Sequence, residues 1–149
     1  MNEHLMKLAS IVFVWAVLFV FASGNAAATC KEPTKPALSP GMKVVTPLAG
    51  PNWSVGKIES IKGRNVTVKD ADGGLGSMKP SEVLPHPSVL YKDNSYPCFK
   101  AGDKVIAPLK GNIWRIATIT SIEGDKATIA FTDKKQNVVK QVELLRAPK

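Results

Sequence analysis

Basic and aromatic side chains are the residues of this chain best suited to bind a ligand. Lysine and arginine bind phosphate and other anionic groups, and tryptophan is favoured both at binding surfaces and in packed cores. The candidate ligand contacts are Trp53, Trp114, Phe131, Lys110, Arg115, Lys134, Lys135 and Arg146. For the two tryptophans, two interpretations stay open: they are packing residues, or they contact a ligand as a pair.

Residues suited to catalysis are few. His86 lies between two prolines, and the other histidine, His4, falls in an N-terminal segment that we expect to be removed. The aspartates lie in or beside predicted turns, where this residue commonly bonds to nearby backbone: Asp70, Asp72, Asp103, Asp125 and Asp133. The sequence contains no metal-ligand cluster and no nucleophile motif. We therefore predict that the protein is not an enzyme and uses no cofactor or metal.

An internal repeat organises the chain that must position these residues. Residues 41–87 and 102–148 align without a gap at a constant offset of 61, and 17 of the 47 aligned positions are identical. The identical pairs include Trp53 with Trp114. Such a density of matches at one offset indicates a duplicated unit. Because units of about 50 residues bury little surface alone, we expect them to pack together or to be cross-linked.

The N-terminal residues 1–28 have the pattern of a secretion signal. Lys7 precedes a 14-residue apolar run, and small residues follow it up to Ala28. This run is short for a membrane span, and the small residues suit cleavage after Ala26 or Ala28. We predict a periplasmic or secreted protein with no membrane span in the mature chain. An uncleaved membrane anchor is the alternative.

The two cysteines are interpreted in the light of that compartment. Export normally brings oxidising conditions, so we predict a disulfide between Cys30 and Cys98 that contributes about 3–4 kcal/mol. Lipidation of Cys30 is an alternative, although the preceding residues Ala28 and Thr29 do not form the usual lipobox. A catalytic thiol is disfavoured because there is no Cys-x-x-Cys pair.

Short strands and tight turns are predicted throughout the two repeats. Prolines make 29–40 an extended lead-in and 88–101 a linker, and the linker aromatics Tyr91, Tyr96 and Phe99 are expected to cover the seam between repeats. In the first repeat, strands are predicted at 41–47, 53–61 and 66–70, with a flexible loop at 71–76. Residues 78–84 are predicted to form a short fourth strand and a single turn before the last pairing segment. In the second repeat strands are predicted at 104–107, 114–122, 127–132 and 138–145, with a loop at 133–137. No segment has the length of a substantial helix.

The strands of the second repeat resemble a Tudor domain from end to end. The resemblance rests on residues 102–107, 114–122, 127–133 and 142–145, and residues 57–61 and 66–70 of the first repeat are similar. It implies an all-β fold class, with two tandem small five-stranded SH3-like (Tudor-like) barrels at 41–87 and 102–149, after the signal peptide.

Tudor domains typically bind methylated lysine or arginine in an aromatic cage. The resemblance transfers the four cage positions to Leu109, Arg115, Phe131 and Lys134, and in the first repeat to Leu48, Ser54, Asp70 and Gly73. Among these eight residues the single aromatic is Phe131, and two of its neighbours are cations. Methylated lysine or arginine is therefore disfavoured as the ligand.

Charge and the lack of catalytic motifs leave two hypotheses for function. The first is an exported, non-enzymatic binding or adaptor module of the cell envelope that binds a protein or peptide. The alternative follows from the formal charge of +8 and is a binder of an anionic polymer, such as nucleic acid or lipopolysaccharide. In that case the basic candidates of the second repeat would converge on one face.

Overall fold

Antiparallel β-strands make up most of the regular structure. The computed structural model describes residues 30–92 and 95–149, so the predicted signal segment 1–28 lies outside the described residues. The strands are β1 (Lys43–Pro47), β2 (Asn52–Lys62), β3 (Asn65–Asp70), β4 (Leu75–Met78), β5 (Leu84–Pro85), β6 (Lys104–Lys110), β7 (Ile113–Glu123), β8 (Lys126–Phe131), β9 (Gln136–Lys140) and β10 (Leu145–Arg146). Two 3-10 turns, Pro80–Glu82 and Gln141–Glu143, precede β5 and β10. The predicted all-β fold class is confirmed.

The first five strands form a meander whose last strand returns to the first. β1 pairs with β2, β2 with β3 and β3 with β4, and β5 pairs with β1. The last five strands pair in the same way, and the registers agree at the offset of 61: Lys43 lies opposite Lys57, and Lys104 lies opposite Thr118. This order, with a 3-10 turn before the final strand, is that of an SH3-like fold. We call residues 41–87 the N-terminal half and residues 102–149 the C-terminal half.

The fourth strand of each half begins earlier than the sequence predicted. β4 starts at Leu75, inside the expected loop 71–76, and ends at Met78, where the fourth strand was expected to begin. The single turn expected within 78–84 is present as the 3-10 turn Pro80–Glu82. The Oδ1 atom of Asp70 explains the short loop, because it accepts hydrogen bonds from the backbone N–H groups of Asp72 (3.0 Å) and Gly74 (2.7 Å). These hydrogen bonds stabilise a tight turn, after which Leu75 pairs with Lys69. β9 likewise begins at residue 136, inside the expected loop 133–137.

Strands β2 and β7 join the two halves into one sheet. They pair antiparallel with Trp53 opposite Trp114, so equivalent positions of the two halves face each other. The strand order through the junction is β10-β6-β7-β2-β1-β5. Each half keeps a core of its own, centred on residues such as Val44 in the N-terminal half and Val105 in the C-terminal half.

A third apolar cluster lies on the other face of this sheet. Successive strand residues point to opposite faces, so the residues that follow Val44 and Val105 face away from the two cores. The buried members of this cluster are Val45, Trp53, Ile106, Trp114 and Leu145, and Leu90 packs against them. The halves therefore share a common core in addition to their own.

The linker packs against this shared core. Its helix α1 (Pro87–Leu90) has a single turn, and within residues 30–92 and 95–149 no helix is long and apolar enough to cross a membrane. The hydroxyl of Tyr91 donates a hydrogen bond of 2.7 Å to the carbonyl oxygen of Leu144, which ties the linker to the C-terminal half. Phe99, which was expected to cover the seam, lies instead in the core of the C-terminal half.

A disulfide between Cys30 and Cys98 fastens the lead-in to the linker, and this predicted bridge is confirmed. The Cα atoms of the two cysteines are 4.9 Å apart. Beside the disulfide, the backbone N–H of Lys31 donates to the carbonyl oxygen of Tyr96 at 3.0 Å. We call the disulfide and this hydrogen bond, together with the ion pair between Arg146 and Glu32, the N-terminal clasp.

Candidate functional site

An open groove lies where the linker meets the C-terminal half. It has a volume of about 440 Å³ and is lined by His86, Pro87, Ser88, Tyr91, Pro108, Trp114, Val142 and Glu143. Its walls thus combine rings, prolines and one aliphatic side chain, with a single carboxylate. We call this feature the aromatic groove. Mostly apolar pockets with a few placed polar groups are the usual form of a binding site.

Local hydrogen bonds fix the side of the groove formed by α1. His86 is the N-cap of α1, and its Nδ1 atom accepts a hydrogen bond of 3.1 Å from the backbone N–H of Ser88. The hydroxyl oxygen of Ser88 is also 2.8 Å from this nitrogen. The edge of the imidazole packs against Trp114, with ring centroids 5.4 Å apart and the planes at 65°. These contacts hold the ring in one orientation.

His86 is neutral at neutral pH. Burial is the main cause that lowers its pKa to about 4, and the nearby Lys43 charge adds to the effect. Because a backbone N–H can only donate, Nδ1 acts as the acceptor, and the neutral ring carries its proton on Nε2. The imidazole therefore offers the groove a polar but uncharged edge.

Tyr91 and Glu143 complete the polar part of the groove. Burial raises the pKa of the Tyr91 phenol, with a further contribution from Glu32 and an opposing one from Arg146. Glu143 accepts a hydrogen bond of 3.1 Å from the backbone N–H of Lys140, which positions its carboxylate at the first turn of Gln141–Glu143. The groove is consequently apolar with one negative group.

The two candidate tryptophans are mainly packing residues. Trp53 is 8% exposed and Trp114 is 5% exposed, and both belong to the shared core at the junction of β2 and β7. Trp114 in addition contributes to the wall of the aromatic groove. The structure thus assigns Trp53 to packing, whereas Trp114 has a surface that a ligand in the groove can contact.

Arg146, one of the candidate ligand contacts, is engaged within the chain. Its guanidinium pairs with Glu32 and with Asp103, donates to the carbonyl oxygen of Cys98 at 3.1 Å, and lies 5.0 Å from the ring centre of Phe99. The hydrogen bond to Glu32 is the main cause that raises the pKa of Arg146 and lowers that of Glu32. Arg146 therefore holds the N-terminal clasp.

Two further candidates are engaged within the chain. Arg115 donates from Nε to the side-chain oxygen of Asn52 at 2.7 Å across the β2–β7 junction. Lys135 lies 3.8 Å from the carboxylate of Asp133. Lys110 and Lys134 are exposed. Of the five basic candidates, Arg115, Lys135 and Arg146 are thus engaged within the chain. Their convergence on one basic face stays a prediction.

Phe131, another candidate ligand contact, is buried. It is 6% exposed and packs in the core of the C-terminal half with Phe99, so it does not form the wall of a surface cage. Of the other positions transferred from the Tudor resemblance, Leu48 and Leu109 are about 40% exposed. Within residues 30–92 and 95–149, no group of three or more potential ligands is placed to hold a metal ion.

The sequence did not predict the aromatic groove. Its residues come from three separated segments, and the linker part was interpreted only as a cover for the seam. One signal was present: the Pro-His-Pro-Ser run at 85–88 is typical of a capped helix start, with proline at the first helical position. Such a start places His86 at an N-cap, but its contact with Trp114 depends on the tertiary packing of the linker.

Comparisons with known proteins give one family and several structures. A family described as a protein of unknown function, DUF3553, matches residues 38–81, a span that contains β1 to β4. No curated protein matches the chain.

Among solved structures, the chain is similar to the crystal structure of Arabidopsis thaliana AGDP1 AGD34. The identity is 16%, the match covers 74% of this chain and 82% of that one, and the TM-score is 0.47. It is also similar to the four MBT repeats of Drosophila melanogaster Sfmbt, which were solved in complex with the peptide RHR (me)K VLR. In that case the identity is 18%, the coverage is 69% and 35%, and the TM-score is 0.26.

Proposed function

We propose that the protein is an exported, non-enzymatic binding module of the cell envelope, periplasmic or secreted, whose aromatic groove binds an extended peptide segment of a protein partner. The proposal includes the division into two SH3-like barrels at 41–87 and 102–149, joined by the linker 88–101. The disulfide between Cys30 and Cys98 supports an oxidising compartment. The observation that carries the proposal is the groove itself, with its fixed rings and single carboxylate.

The walls of the groove favour a proline-containing peptide in an extended conformation. Polyproline II segments are already ordered before they bind, and they dock in grooves lined by aromatic side chains. Here Trp114 and Tyr91 supply the rings, and Pro87 and Pro108 supply rigid apolar edges. Proline has no backbone N–H, so a proline-rich segment brings fewer donors that a groove with few polar groups would have to satisfy.

Glu143 predicts a cationic residue in the peptide. It is the one carboxylate among the lining residues, and the groove has no basic side chain beside it, since His86 is neutral at pH 7. An arginine or lysine of the partner can therefore pair with it by a charge-assisted hydrogen bond. The preferred ligand is an extended segment with prolines and one basic side chain.

The test uses a fluorescein-labelled synthetic peptide of repeating Ala-Pro-Pro-Arg units and the oxidised mature protein, with binding followed by fluorescence anisotropy. Glu143→Gln removes the charge but keeps an oxygen that can accept from the Lys140 N–H, so the 3-10 turn is preserved. We expect binding to weaken about three- to fivefold, in line with an exposed ion pair.

The N-terminal half provides a matched control. Glu82 occupies the equivalent position and accepts from the backbone N–H of Lys79 at 2.9 Å, but it does not line the groove. Glu82→Gln removes the same charge and should leave affinity unchanged. Equal losses for the two variants, or no binding of the peptide by the wild-type protein, would contradict the proposal.

A second peptide, identical except for a trimethyllysine in place of each arginine, tests the disfavoured ligand class. We expect it to bind no more tightly than the matching unmodified lysine peptide. A clear preference for the methylated form would assign the groove to methylated cations and overturn the part of the proposal that concerns the ligand.

A further inference from the structure

Three lysines form a row across three adjacent strands of the N-terminal half. Lys43 of β1 lies opposite Lys57 of β2, and Lys57 lies opposite Lys69 of β3. All three are exposed. Within residues 30–92 and 95–149, no carboxylate oxygen lies within 4.0 Å of any of the three ammonium groups. We call this feature the lysine row.

Such a row is unfavourable for the sheet by itself. Adjacent strands are about 4.8 Å apart, and like charges directly opposite one another destabilise a strand pair. The fold does not require them, because the C-terminal half has the same register with different residues: Lys104 opposite Thr118, and Thr118 opposite Ala130. The lysine row is therefore a property of the side chains of the N-terminal half and not of its backbone.

A shallow groove of about 270 Å³ runs beside the lysine row. Its other lining residues are Val55, Gly56, Glu59, Asp70 and Ala71. Asp70 is engaged by the backbone of its own loop, where its Oδ1 atom accepts two hydrogen bonds. Glu59 lies at a β-bulge between Ile58 and Ser60. With three lysines and two carboxylates, the lining of the groove has an excess of one positive charge. None of the eight lining residues is aromatic.

We infer that the lysine row binds a linear chain of phosphate groups that runs across strands β1 to β3. Adjacent strands are about 4.8 Å apart, so the backbone positions of the three lysines lie along a line of about 10 Å and one flexible phosphate chain can contact all three side chains. Lysine suits this task because it binds phosphate as a point charge without demanding one orientation. The lack of a ring in the groove gives bases no surface on which to stack, so the ligand is recognised by its phosphates and not as a nucleic acid.

The groove beside the lysine row shares no lining residue with the aromatic groove, although Lys43 lies near His86, and it contains none of the basic candidates of the C-terminal half. It would give the protein an anchor on a phosphate-rich polymer while the groove holds a peptide. The probe that we propose is fluorescein-labelled inorganic polyphosphate, with binding measured by anisotropy over a range of salt concentrations. Affinity for a phosphate chain should fall linearly with salt on a log–log scale, because counterions are released.

The C-terminal half supplies the variants for the test. Lys57→Thr and Lys69→Ala together give the N-terminal half the residues of the equivalent strand positions, which the same register tolerates. The double variant should bind at least tenfold more weakly at moderate salt, and its salt slope should decrease by about 2, one for each lysine removed. The control is Lys62→Thr with Lys126→Ala, which removes two exposed lysines outside the row. Equal losses for the two double variants would mean that only net charge attracts the polymer and would overturn the inference.

The reciprocal change keeps the inference testable if the first variant folds poorly. Thr118→Lys with Ala130→Lys creates a second row beside Lys104 and should strengthen polyphosphate binding several-fold. No gain in this variant would count against the inference. A labelled oligothymidylate of matched charge should bind no more tightly than polyphosphate. A clear preference for the oligonucleotide, lost with Lys57→Thr and Lys69→Ala, would overturn the assigned ligand class in favour of single-stranded nucleic acid.

Discussion

Removal of the disulfide is expected to lower the free energy of unfolding by about 4 kcal/mol. The perturbation is the double variant Cys30→Ser with Cys98→Ser, which leaves no unpaired thiol among the residues that the structure describes. The bridge closes a loop with a sequence separation of 68. A loop of that length reduces the entropy of the unfolded chain by roughly 15 cal/mol/K, which is about 4 kcal/mol at 25 °C.

The effect is large compared with the total stability of a small domain, which is typically 5–15 kcal/mol. In the folded state, little else changes, because Arg146 still pairs with Glu32 and the Lys31 N–H still bonds to Tyr96. The loss should therefore arise in the unfolded chain, which becomes less compact without the bridge. This origin predicts a larger m-value in urea for the double variant.

Urea unfolding followed by tryptophan fluorescence measures both quantities. Trp53 and Trp114 are buried at the junction of the halves, so their emission reports the loss of the shared core. Wild-type protein in a reducing agent should behave as the double variant does. A loss below about 1 kcal/mol with an unchanged m-value would refute the reasoning, since it would mean that the bridge restricts the unfolded chain very little.

Two further predictions concern the linker. Tyr91→Phe should lower the free energy of unfolding by about 1–3 kcal/mol, because the carbonyl oxygen of the buried residue Leu144 loses its hydrogen-bond donor. Urea unfolding measures this loss, and Tyr96→Phe is the control. Equal losses for the two variants would contradict the role of the Tyr91 hydroxyl. Stability should also fall as the pH drops from 6.5 to about 4, because His86 takes up a proton in the unfolded chain but not in the folded one. Allowing for the partial exposure of the ring, the free energy of unfolding should fall by roughly 1–2 kcal/mol over this pH range. His86→Asn should make the pH dependence of stability shallower. An unchanged pH dependence in this variant would contradict the role of His86.

The strands and turns of each half could be predicted because their signals are local. Alternating apolar residues and turn residues lie within short windows, and the repeat shows the same pattern twice. The disulfide was also predictable, since it needed only the expected compartment and two cysteines. The errors at β4 and β9 both lie at loops that contain a local side-chain hydrogen bond to the backbone. Asp70 accepts from the N–H of Gly74 before β4, and Asp133 accepts from the N–H of Lys135 before β9.

The arrangement of the halves was not predictable from such windows. Which strands meet across the junction depends on contacts between residues 61 positions apart, and periodicity alone does not indicate that Trp53 lies opposite Trp114. The same limit explains the basic candidates. Nothing near Arg146 in sequence shows that Glu32 will reach it, so its charge was counted as free. The groove was missed because its walls come together only when the linker folds over the shared core.

Comparison of the two halves separates the requirements of the fold from those of binding. Identical positions include the buried residues Val44 and Val105 and the paired tryptophans, which both cores and the junction need. The lysine row has no counterpart in the C-terminal half, where the same backbone register carries Thr118 and Ala130. Since one register tolerates both sets of side chains, packing does not select the lysines, and their mutual repulsion opposes them. In the proposed phosphate site, a bound anion would offset this repulsion, which explains why the lysines occur in one half and not in the other.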